Sequence, residues 1–506
     1  MPVLNIRLDR SSLLRDAGSP AGFYWLIGGY VVLHCLLRLL FDPVLGTDDV
    51  EQAVYAQTLQ WGYDLKQPPL YTWLQWGMDR IVGVGVHSHA LLKYLLLFLT
   101  YFFLYRCGRL LFAGRMTPLL ASAGLWLTYP LAVSIHQGVT HTILLCALLA
   151  ASLYAFLRLE RQTTPAGYLG LGLLLGLGLI SKYSFAIFAA GLALAALTVP
   201  RFRRVLLNRL TLAGLLMAAL VVAPHALWAW ERHQEVGAAL AGLGGTGPAD
   251  PGLGQRLGML LSLASAAVQF LAPLWLVLLA VYPRAFGRLP GVHQDDSRRL
   301  LGRVMAISLA LLAGAILMGK IGEIKPRWMH ATLLVFPLYF FLRAEAAYPD
   351  GVVKKGYLAS LALLPVLVIG VWAAQTYLAP GLGRPSRFHV PYDLVAARLR
   401  LETPAPATIL AGDEYLAGNL RLGFPAARVI NARYPSYRPG PRRDGPCLVA
   451  WETGPSGTPD DIATLLGNGR ALGTGPEIRR LQEPYRHADS KVLEIRYLMA
   501  SPKDCP

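Results

Sequence analysis

Charged side chains are scarce in this chain, because Asp, Glu, Lys and Arg make up only 15% of its 506 residues. Soluble globular proteins carry about 25%, and hydrophobic residues reach 54% here. Apolar runs recur up to residue 378, and many are long enough to cross a hydrocarbon core of about 30 Å. These features exclude an ordinary soluble protein and predict a mainly α-helical, polytopic membrane protein.

Acidic side chains are the scarcer kind of charge, with 30 Asp and Glu against 47 Lys and Arg and a net charge of +17. A basic excess can indicate nucleic-acid binding. In a polytopic protein, however, Lys and Arg accumulate in cytoplasmic loops, so we expect no nucleic-acid partner. Hydropathy predicts about eleven spans, and at most thirteen, near 22–41, 88–105, 117–132, 140–157, 165–180, 183–199, 210–229, 258–282, 304–318, 330–343 and 357–378.

Basic residues are few on one side of the predicted membrane. With a cytoplasmic N-terminus, the larger share of the loop cations falls inside, as the positive-inside rule requires. The cations left in outside loops are Lys66, Arg80, Lys182, Arg232, Arg256, Lys320, Lys325 and Arg327. This topology places everything after residue 379 outside the cytoplasm.

Cysteine is rare, with five in the chain, and the spacing matches no zinc site. The glycine-rich segment 170–180 is no dinucleotide motif, because no strand and phosphate-binding turn surround it; close helix packing is the simpler interpretation. Cys447 and Cys505 both fall in the outside segment, where a disulfide can persist. We predict that these two cysteines pair.

The C-terminal segment differs from the rest in composition, since short apolar runs alternate there with turn signals. The succession TILAG, DEYLAGNLRLGF and PAARVINA is typical of strand, helix and strand. We therefore divide the chain into a transmembrane domain, 1–379, and a small α/β extracytoplasmic domain, 380–506.

The first outside loop carries an unusual concentration of acids. Asp48, Asp49 and Glu51 follow the first apolar run closely, and Lys66 precedes a double proline. Acids are favoured in the first turn of a helix, and residues 48–60 have helical periodicity, so one acid alone would need no function. Three acids with a downstream cation favour a reaction centre.

Polar residues also gather at the outer ends of other spans. Lys182 stands out, because a hairpin of almost no length outside the membrane needs no cation for topology, and ionisable groups at membrane depth are functional candidates. His34, Arg38 and Lys93 lie inside spans but towards the same side. The further candidates are Tyr55, Tyr63, Gln67, His136, His141, Lys325, Arg327, Trp328 and His330.

Together these residues suit a lipid-linked phosphate at the outer membrane surface. Cations would neutralise the phosphate, and a carboxylate would accept a proton from an attacking hydroxyl. Alternatives remain for individual residues: His136 and His141 as helix-end histidines, Lys325 and Arg327 as snorkelling anchors, and Trp328 as an interfacial aromatic.

The segment DDVEQAVYAQTLQWGYDLKQPPLYTWL, starting at Asp48, resembles the first outside loop of the GT-C membrane glycosyltransferases. The resemblance is to the bacterial branch related to protein O-mannosyltransferases and to the lipid A aminoarabinose transferase. GLISKYSFAIF (178–188) and KPRWMHATLLVFPLYFFL (325–342) are similar to later family segments. The likeness covers about residues 20–345, and the family's outside domain is only loosely similar to the tail.

This resemblance implies an inverting enzyme in the bacterial inner membrane, with its C-terminal domain in the periplasm. The donor would be a polyprenyl-phosphate sugar and the acceptor a lipid or glycan. Asp48 would be the base and Asp49 a supporting acid. The donor phosphate would be bound by Lys66, Lys182, Lys325 and Arg327, and the substrates by Glu51, Tyr55, Tyr63, Gln67, His141, Trp328 and His330.

Three departures from the family pattern affect metal and acceptor. Asp49 stands where relatives have Glu, Gln67 where they often have a basic residue, and His141 where they often have an acid. No cofactor is required by the sequence. A divalent metal remains open, with Asp49, His136 and His141 as its candidate ligands.

A transporter or flippase of an anionic polyprenyl-linked glycolipid is the competing hypothesis. Transporters favour inverted repeats and charges near the membrane midplane. The sequence contains no evident repeat, and its ionisable residues lie near the outer ends of spans. A scaffolding membrane protein would not need the polar cluster at all.

Overall fold

The computed structural model describes residues 19–46, 48–232, 252–287, 295–319, 321–322, 324–431, 433–434, 437, 439–441, 443–453 and 477–500. Helices form nearly all of the described chain up to residue 377. In chain order they are α1 Pro20–Phe41, α2 Asp48–Tyr55, α3 Leu70–Val82, α4 Val86–Leu111, α5 Thr117–Leu127, α6 Tyr129–His136, α7 His141–Arg161, α8 Pro165–Leu179, α9 Phe185–Leu197, α10 Pro200–Leu206, α11 Leu210–Glu231, α12 Leu253–Val281, α13 Asp296–Leu317, α14 His330–Leu333, α15 Phe336–Ala347 and α16 Lys355–Tyr377.

The predicted spans all coincide with helical segments, which confirms a polytopic membrane protein. Within the described residues, seven single helices are long and apolar enough to cross a membrane: α1, α4, α7, α11, α12, α13 and α16. Two broken pairs raise this to nine, with bends of 83° between α5 and α6 and 120° between α9 and α10. The total of eleven spans therefore stays a prediction.

The glycine-rich helix α8 packs closely against α11, as its sequence indicates. A Cβ atom on Gly172 would lie 2.0 Å from the Gly214 carbonyl oxygen, and one on Gly176 would lie 2.9 Å from the Ala218 oxygen. These glycines thus allow the two backbones to approach, which is the usual role of small residues between membrane helices.

The C-terminal unit is a small α/β domain, as predicted. In chain order its elements are α17 Tyr392–Glu402, β1 Thr408–Ala411, α18 Glu414–Gly423, β2 Arg428–Asn431, β3 Cys447–Glu452, β4 Arg479–Tyr485 and β5 Ala488–Ala500. The sheet has the order β2-β1-β3-β5-β4, with parallel pairs β1–β2 and β1–β3 and antiparallel pairs β3–β5 and β4–β5. The boundary at residue 379 stays a prediction.

Of the two cysteines predicted to form a disulfide, only Cys447 lies within the described residues. Cys447 is buried at the start of β3, in the small apolar cluster on one face of the sheet. Its expected partner, Cys505, lies outside the described residues, so the pairing stays a prediction.

The C-terminal domain docks on the first outside loop through two side-chain amides. Asn419 accepts from the Leu45 N–H at 2.8 Å and donates to the Leu45 oxygen at 3.1 Å. Gln57 accepts from the Val429 N–H at 2.8 Å and donates to its oxygen at 2.9 Å. Each amide satisfies both polar groups of one backbone residue, so α2 is held at both ends by the C-terminal domain.

Candidate active site

Helix α2 presents its three acids in different directions. All three lie in the first turn, where the helix dipole favours negative charge. Asp49 and Gln52, three residues apart and therefore on one face, are buried, whereas the Asp48 side chain is exposed. The helix thus separates one accessible carboxylate from one enclosed carboxylate at adjacent positions.

Asp49 forms a buried ion pair with Lys93 of α4. Its Oδ2 atom lies 2.8 Å from the Lys93 Nζ atom, and the side chains are 2% and 1% exposed. Burial alone would raise the pKa of Asp49, but Lys93, His89 and Arg38 outweigh burial and hold the pKa below its usual value. Asp49 is therefore a fixed anion whose charge is already neutralised.

Asp48 has the electrostatic surroundings of a base. Enclosing protein atoms raise its pKa although solvent reaches the side chain, and the adjacent Asp49 raises it further. Three cations act in the opposite direction: Lys182, Lys93 and Arg327. Two of the four predicted phosphate ligands, Lys182 and Arg327, therefore act electrostatically on the predicted base, although they come from loops far apart in sequence.

The turn that carries Lys182 is hydrogen-bonded to two neighbouring helices, α3 and α7. The Lys182 Nζ atom donates to Thr142 Oγ1 at 2.6 Å, and the Leu70 N–H donates to the Ile180 oxygen at 3.1 Å. Leu70 is the first residue after Pro68 and Pro69 that can donate a backbone hydrogen bond. The double proline thus brings the start of α3 against the Lys182 turn.

His141 belongs to a buried hydrogen-bond chain. Its Nδ1 atom lies 3.2 Å from the Ser181 oxygen, which can only accept, so Nδ1 carries the proton. Its Nε2 atom then accepts from Gln52 Nε2 at 3.2 Å, and Gln52 Oε1 accepts from Thr72 Oγ1 at 2.7 Å. The chain links α2, α3 and α7 behind the exposed Asp48.

Glu51 lies on the accessible side of α2, with its side chain partly buried. Burial first, and then the negative charges of Asp64, Asp48 and Glu414, raise its pKa to about 8, against a small opposing effect of Lys66. Glu51 is therefore mostly protonated at pH 7 and able to donate a hydrogen bond.

The loop before α14 contributes a cation and several packing residues. Arg327 is exposed, and its carbonyl oxygen lies 2.7 Å from His330 Nδ1. His330 is buried, with its ring edge-on to Phe270 at 5.0 Å between centroids, and Trp328 packs against the transmembrane core. Lys325 is exposed at the start of this turn. Of this predicted group, Arg327 is the member whose charge acts on Asp48.

The remaining residues of the first loop divide into exposed and packed groups. Lys66 is exposed, and its N–H donates to Asp64 Oδ1 at 2.7 Å; Gln67 is partly buried. Tyr55 and Tyr63 are buried in the core of the C-terminal domain, with ring centroids 5.5 Å apart. The two tyrosines thus join the loop to that domain, and their substrate contacts stay a prediction.

The three predicted metal ligands do not come together. Among the described residues, no group of three or more His, Cys, Asp and Glu side chains is placed to hold a metal ion. Lys93 occupies one oxygen of Asp49, and both ring nitrogens of His141 are hydrogen-bonded. His136 accepts or donates at Nδ1 with the Tyr94 hydroxyl, 2.8 Å away, and stacks on His34.

Comparison with known proteins shows the family of this chain. The family model described as dolichyl-phosphate-mannose-protein mannosyltransferase matches residues 66–228. The chain is 33% identical over 472 residues to the lipopolysaccharide core galacturonosyltransferase RgtB of Rhizobium johnstonii, covering 91% of this chain and 93% of that protein. RgtA of the same organism is 30% identical over 491 residues, covering 92% and 95%. The chain belongs to the GT-C family of membrane glycosyltransferases.

The fold of this GT-C glycosyltransferase is also that of ArnT from Cupriavidus metallidurans. The structure of ArnT bound to undecaprenyl phosphate matches with a TM-score of 0.58 at 11% identity, covering 96% of this chain and 100% of that one. The apo structure matches with the same TM-score at 12% identity, covering 96% and 99%. The likeness extends over the C-terminal domain, which the sequence related only loosely to the family.

Sequence reasoning about this glycosyltransferase missed the partners that position its candidate residues. Lys93 was noted as an ionisable residue inside a span, a signal that marks it as functional, but 44 residues separate it from Asp49. Thr142 and Gln52 carry no such signal, because a threonine or glutamine at a helix end is common. The contacts of Lys93, Thr142 and Gln52 become visible only when α2, α4 and α7 are packed together.

Proposed function

We propose that this glycosyltransferase moves a sugar, in the first instance galacturonic acid, from a polyprenyl-phosphate donor to an acceptor in the lipopolysaccharide core, with inversion. The names of the relatives at 33% and 30% identity support the sugar and the acceptor. The undecaprenyl phosphate bound to the ArnT of the same fold supports the lipid donor. The observation that supports the mechanism is that the charges of Lys182 and Arg327 act on the Asp48 carboxyl group.

In this mechanism Asp48 is the general base. An acceptor hydroxyl oxygen bonds to the anomeric carbon while the bond from that carbon to the phosphate oxygen breaks, and the hydroxyl proton passes to Asp48. Polyprenyl phosphate leaves with the bonding electrons. A carboxylate whose pKa is raised is a stronger base than an ordinary aspartate once it is ionised.

Lys182 and Arg327 stabilise the leaving phosphate. Burial lowers the pKa of Lys182, but Asp48 opposes that effect, so the ammonium charge is supported by the carboxylate across the site. Positive groups aimed at a phosphate in a partly desolvated site contribute several kcal/mol to transition-state stabilisation, of the order of 2.7–4 for one well-placed donor. Lys66 and Lys325, both exposed, are proposed to complete the binding of the donor.

We further propose that this site faces the periplasm of the bacterial inner membrane. The positive-inside bias supports that orientation, and the contacts of the C-terminal domain with the segments on both sides of α2 support the same side for that domain. The domain division at residue 379 belongs to this proposal. A membrane-impermeant thiol reagent should label a single exposed cysteine, introduced in place of Arg400, in intact spheroplasts. Labelling only after lysis would mean that the C-terminal domain faces the cytoplasm.

The deciding experiment compares the wild type with Asp48→Asn in detergent or nanodiscs. The substrates are a polyprenyl phosphate carrying labelled galacturonic acid and a core oligosaccharide-lipid acceptor. We expect Asp48→Asn to lose at least a hundred-fold in rate while inserting and purifying normally. Full activity of this variant would exclude Asp48 as the base.

The same assay separates transfer from transport. A glycosyltransferase releases one polyprenyl phosphate for each acceptor molecule that it labels. A flippase instead moves the intact glycolipid across the membrane of a vesicle without breaking the sugar–phosphate bond. Lys182→Met and Arg327→Met should lower the release of polyprenyl phosphate from the sugar-carrying donor. Arg232→Met is the matched control, because Arg232 is a cation in another outside loop. Movement of intact donor without release would favour the transporter.

A further inference from the structure

A second polar cavity lies at the opposite end of α2 from Asp48. It has a volume of about 390 Å³ and is bordered by the residues that follow α2, by the end of α3 and by the C-terminal domain. Its charged lining residues are Arg80, Arg421, Arg428, Arg443 and a single carboxylate, Asp79. None of them belongs to the predicted donor site, so the cavity is a separate feature.

Two of the arginines in this cavity, Arg421 and Arg443, donate to backbone carbonyl oxygens. Arg421 donates through Nη1 to the Pro425 oxygen and, at 3.4 Å, to the Ala427 oxygen. Arg443 donates to the Ala426 oxygen of the same loop. These contacts orient the guanidinium groups but supply no negative charge to balance them.

Arg80 is oriented by an aromatic ring. Its guanidinium carbon lies 5.1 Å from the centroid of the Trp76 ring, within the range of a cation–π contact. Each guanidinium has five N–H donors, and the contacts described for Arg421, Arg443 and Arg80 use only some of them.

The one acid of the cavity does not balance this charge. The Oδ1 atom of Asp79 already accepts from Ser88 Oγ at 2.6 Å and from Gln75 Nε2 at 2.8 Å. Burial lowers the pKa of Arg421; Asp79 and Tyr437 oppose that shift, and the charges of Arg443 and Arg80 add to it. Cations that repel one another at close range are stabilised by an anion placed between them.

We propose that this cavity binds a phosphate or carboxylate group of the saccharide acceptor. Planar guanidinium groups suit both anions, because each can accept two parallel hydrogen bonds. The assignment to the acceptor rests on the proposed function, and it gives the C-terminal domain a specificity role.

The position of the cavity relative to Asp48 suits an oligosaccharide. The eight residues of α2 rise about 12 Å, and the cavity begins at Ala56, directly after the helix. An acceptor with one hydroxyl at Asp48 and its anionic group at the arginines must span that length, which is more than one sugar ring. The arginines therefore act on acceptor affinity and leave the reacting atoms untouched.

The test uses full-length protein in zwitterionic nanodiscs with saturating donor. The acceptors are an acidic core oligosaccharide and the same oligosaccharide after dephosphorylation and carboxyl reduction. Arg80→Gln and Arg443→Gln change exposed side chains, and Arg421→Gln changes the partly buried one. Arg400→Gln, an exposed arginine of α17 outside the cavity, is the matched control.

We expect each cavity variant to raise KM for the acidic acceptor about ten- to a hundred-fold, as for loss of a charge-assisted hydrogen bond, with kcat and the donor KM unchanged. The neutral acceptor should show a high KM in every variant. Equal KM values for the acidic acceptor in wild type and variants would overturn the proposal, as would an equal fall in kcat with both acceptors.

Direct binding separates this proposal from the proposed function. The acidic oligosaccharide should bind Asp48→Asn protein in calorimetry, and the cavity substitutions should weaken that binding even if no transfer is ever observed. Binding that does not depend on the arginines would overturn the cavity assignment whatever the activity. Competition by phosphatidylglycerol added to the nanodiscs would assign the cavity to a phospholipid headgroup and overturn the acceptor proposal.

Discussion

The Nζ atom of Lys93 lies 2.8 Å from Asp49 Oδ2, and both side chains are almost fully buried. Arg201 and Glu160 are the same 2.8 Å apart, but the Arg201 side chain is 43% exposed. The two ion pairs therefore share one distance and differ in their access to water. Because of this difference, we expect loss of a partner to destabilise the protein much more in the buried pair than in the exposed pair.

Lys93→Met and Asp49→Asn should each destabilise the protein by about 3–5 kcal/mol, because either change leaves a buried charge without its partner. Arg201→Met, the matched surface control, should cost at most about 1 kcal/mol. The double variant Lys93→Met/Asp49→Asn should recover part of the loss. Thermal unfolding in one detergent measures all four, and equal losses for the Lys93 and Arg201 variants would contradict the structural role.

The pH dependence of transfer should report the carboxyl group of Asp48. Only the ionised carboxylate accepts a proton, so kcat/KM should fall about tenfold per pH unit below the raised pKa of Asp48. Arg327 lowers that pKa, so Arg327→Gln should move the acidic limb to higher pH as well as weaken transfer.

Arg232→Gln is the control for this pH profile, because Arg232 lies in another outside loop, with its guanidinium over Trp228. Its acidic limb should coincide with that of the wild type. A limb that stays in place in Arg327→Gln would mean that the titrating group is not Asp48.

Glu51 should make the protein less stable as pH rises. Its pKa is about 8 in the folded protein and about 4.3 in an unfolded chain, so the folded state binds the extra proton between these values. Stability must therefore decrease with increasing pH across that window. Glu51→Gln keeps a neutral, hydrogen-bonding side chain and should flatten the decrease, measured as melting temperature from pH 5 to pH 8.

Activity provides a second measure of the protonated state of Glu51. Since the side chain is mostly neutral at pH 7, Glu51→Gln should retain transfer within a few-fold of the wild type at that pH, in contrast to Asp48→Asn. A loss as deep as that of Asp48→Asn would show that ionised Glu51 takes part in the reaction.

The sequence could predict the elements of the site better than their contacts. The alternation of apolar runs and turns predicted the sheet domain, and the isolation of Lys182 indicated a functional candidate, whose charge acts on Asp48 in the structure. The ion pair of Asp49 was not predictable, because Lys93 is 44 residues away in a helix with many possible rotations. Tyr55 and Tyr63 were predicted to contact the substrates because of their positions in the motif. That prediction could not reveal that the C-terminal domain packs on both rings.

The docking of the C-terminal domain on α2 should depend on the absence of a side chain at Gly418. A Cβ atom at this position would lie 2.6 Å from the Cα, Cβ and oxygen atoms of Val50. Because backbone must then move, Gly418→Ala should cost about 1–3 kcal/mol. The displacement should also lower kcat, since Val50 is two residues from Asp48.

Gly370→Ala is the matched control, because the same methyl group would meet no atom within 4 Å in α16. Alanine is favoured over glycine inside a helix by about 0.5–1 kcal/mol, so this variant should melt at or above the wild-type temperature with unchanged kcat. If Gly418→Ala retained both wild-type stability and wild-type kcat, the C-terminal domain could not be what fixes α2, and the position of Asp48 would depend on Lys93 and Gln52 alone.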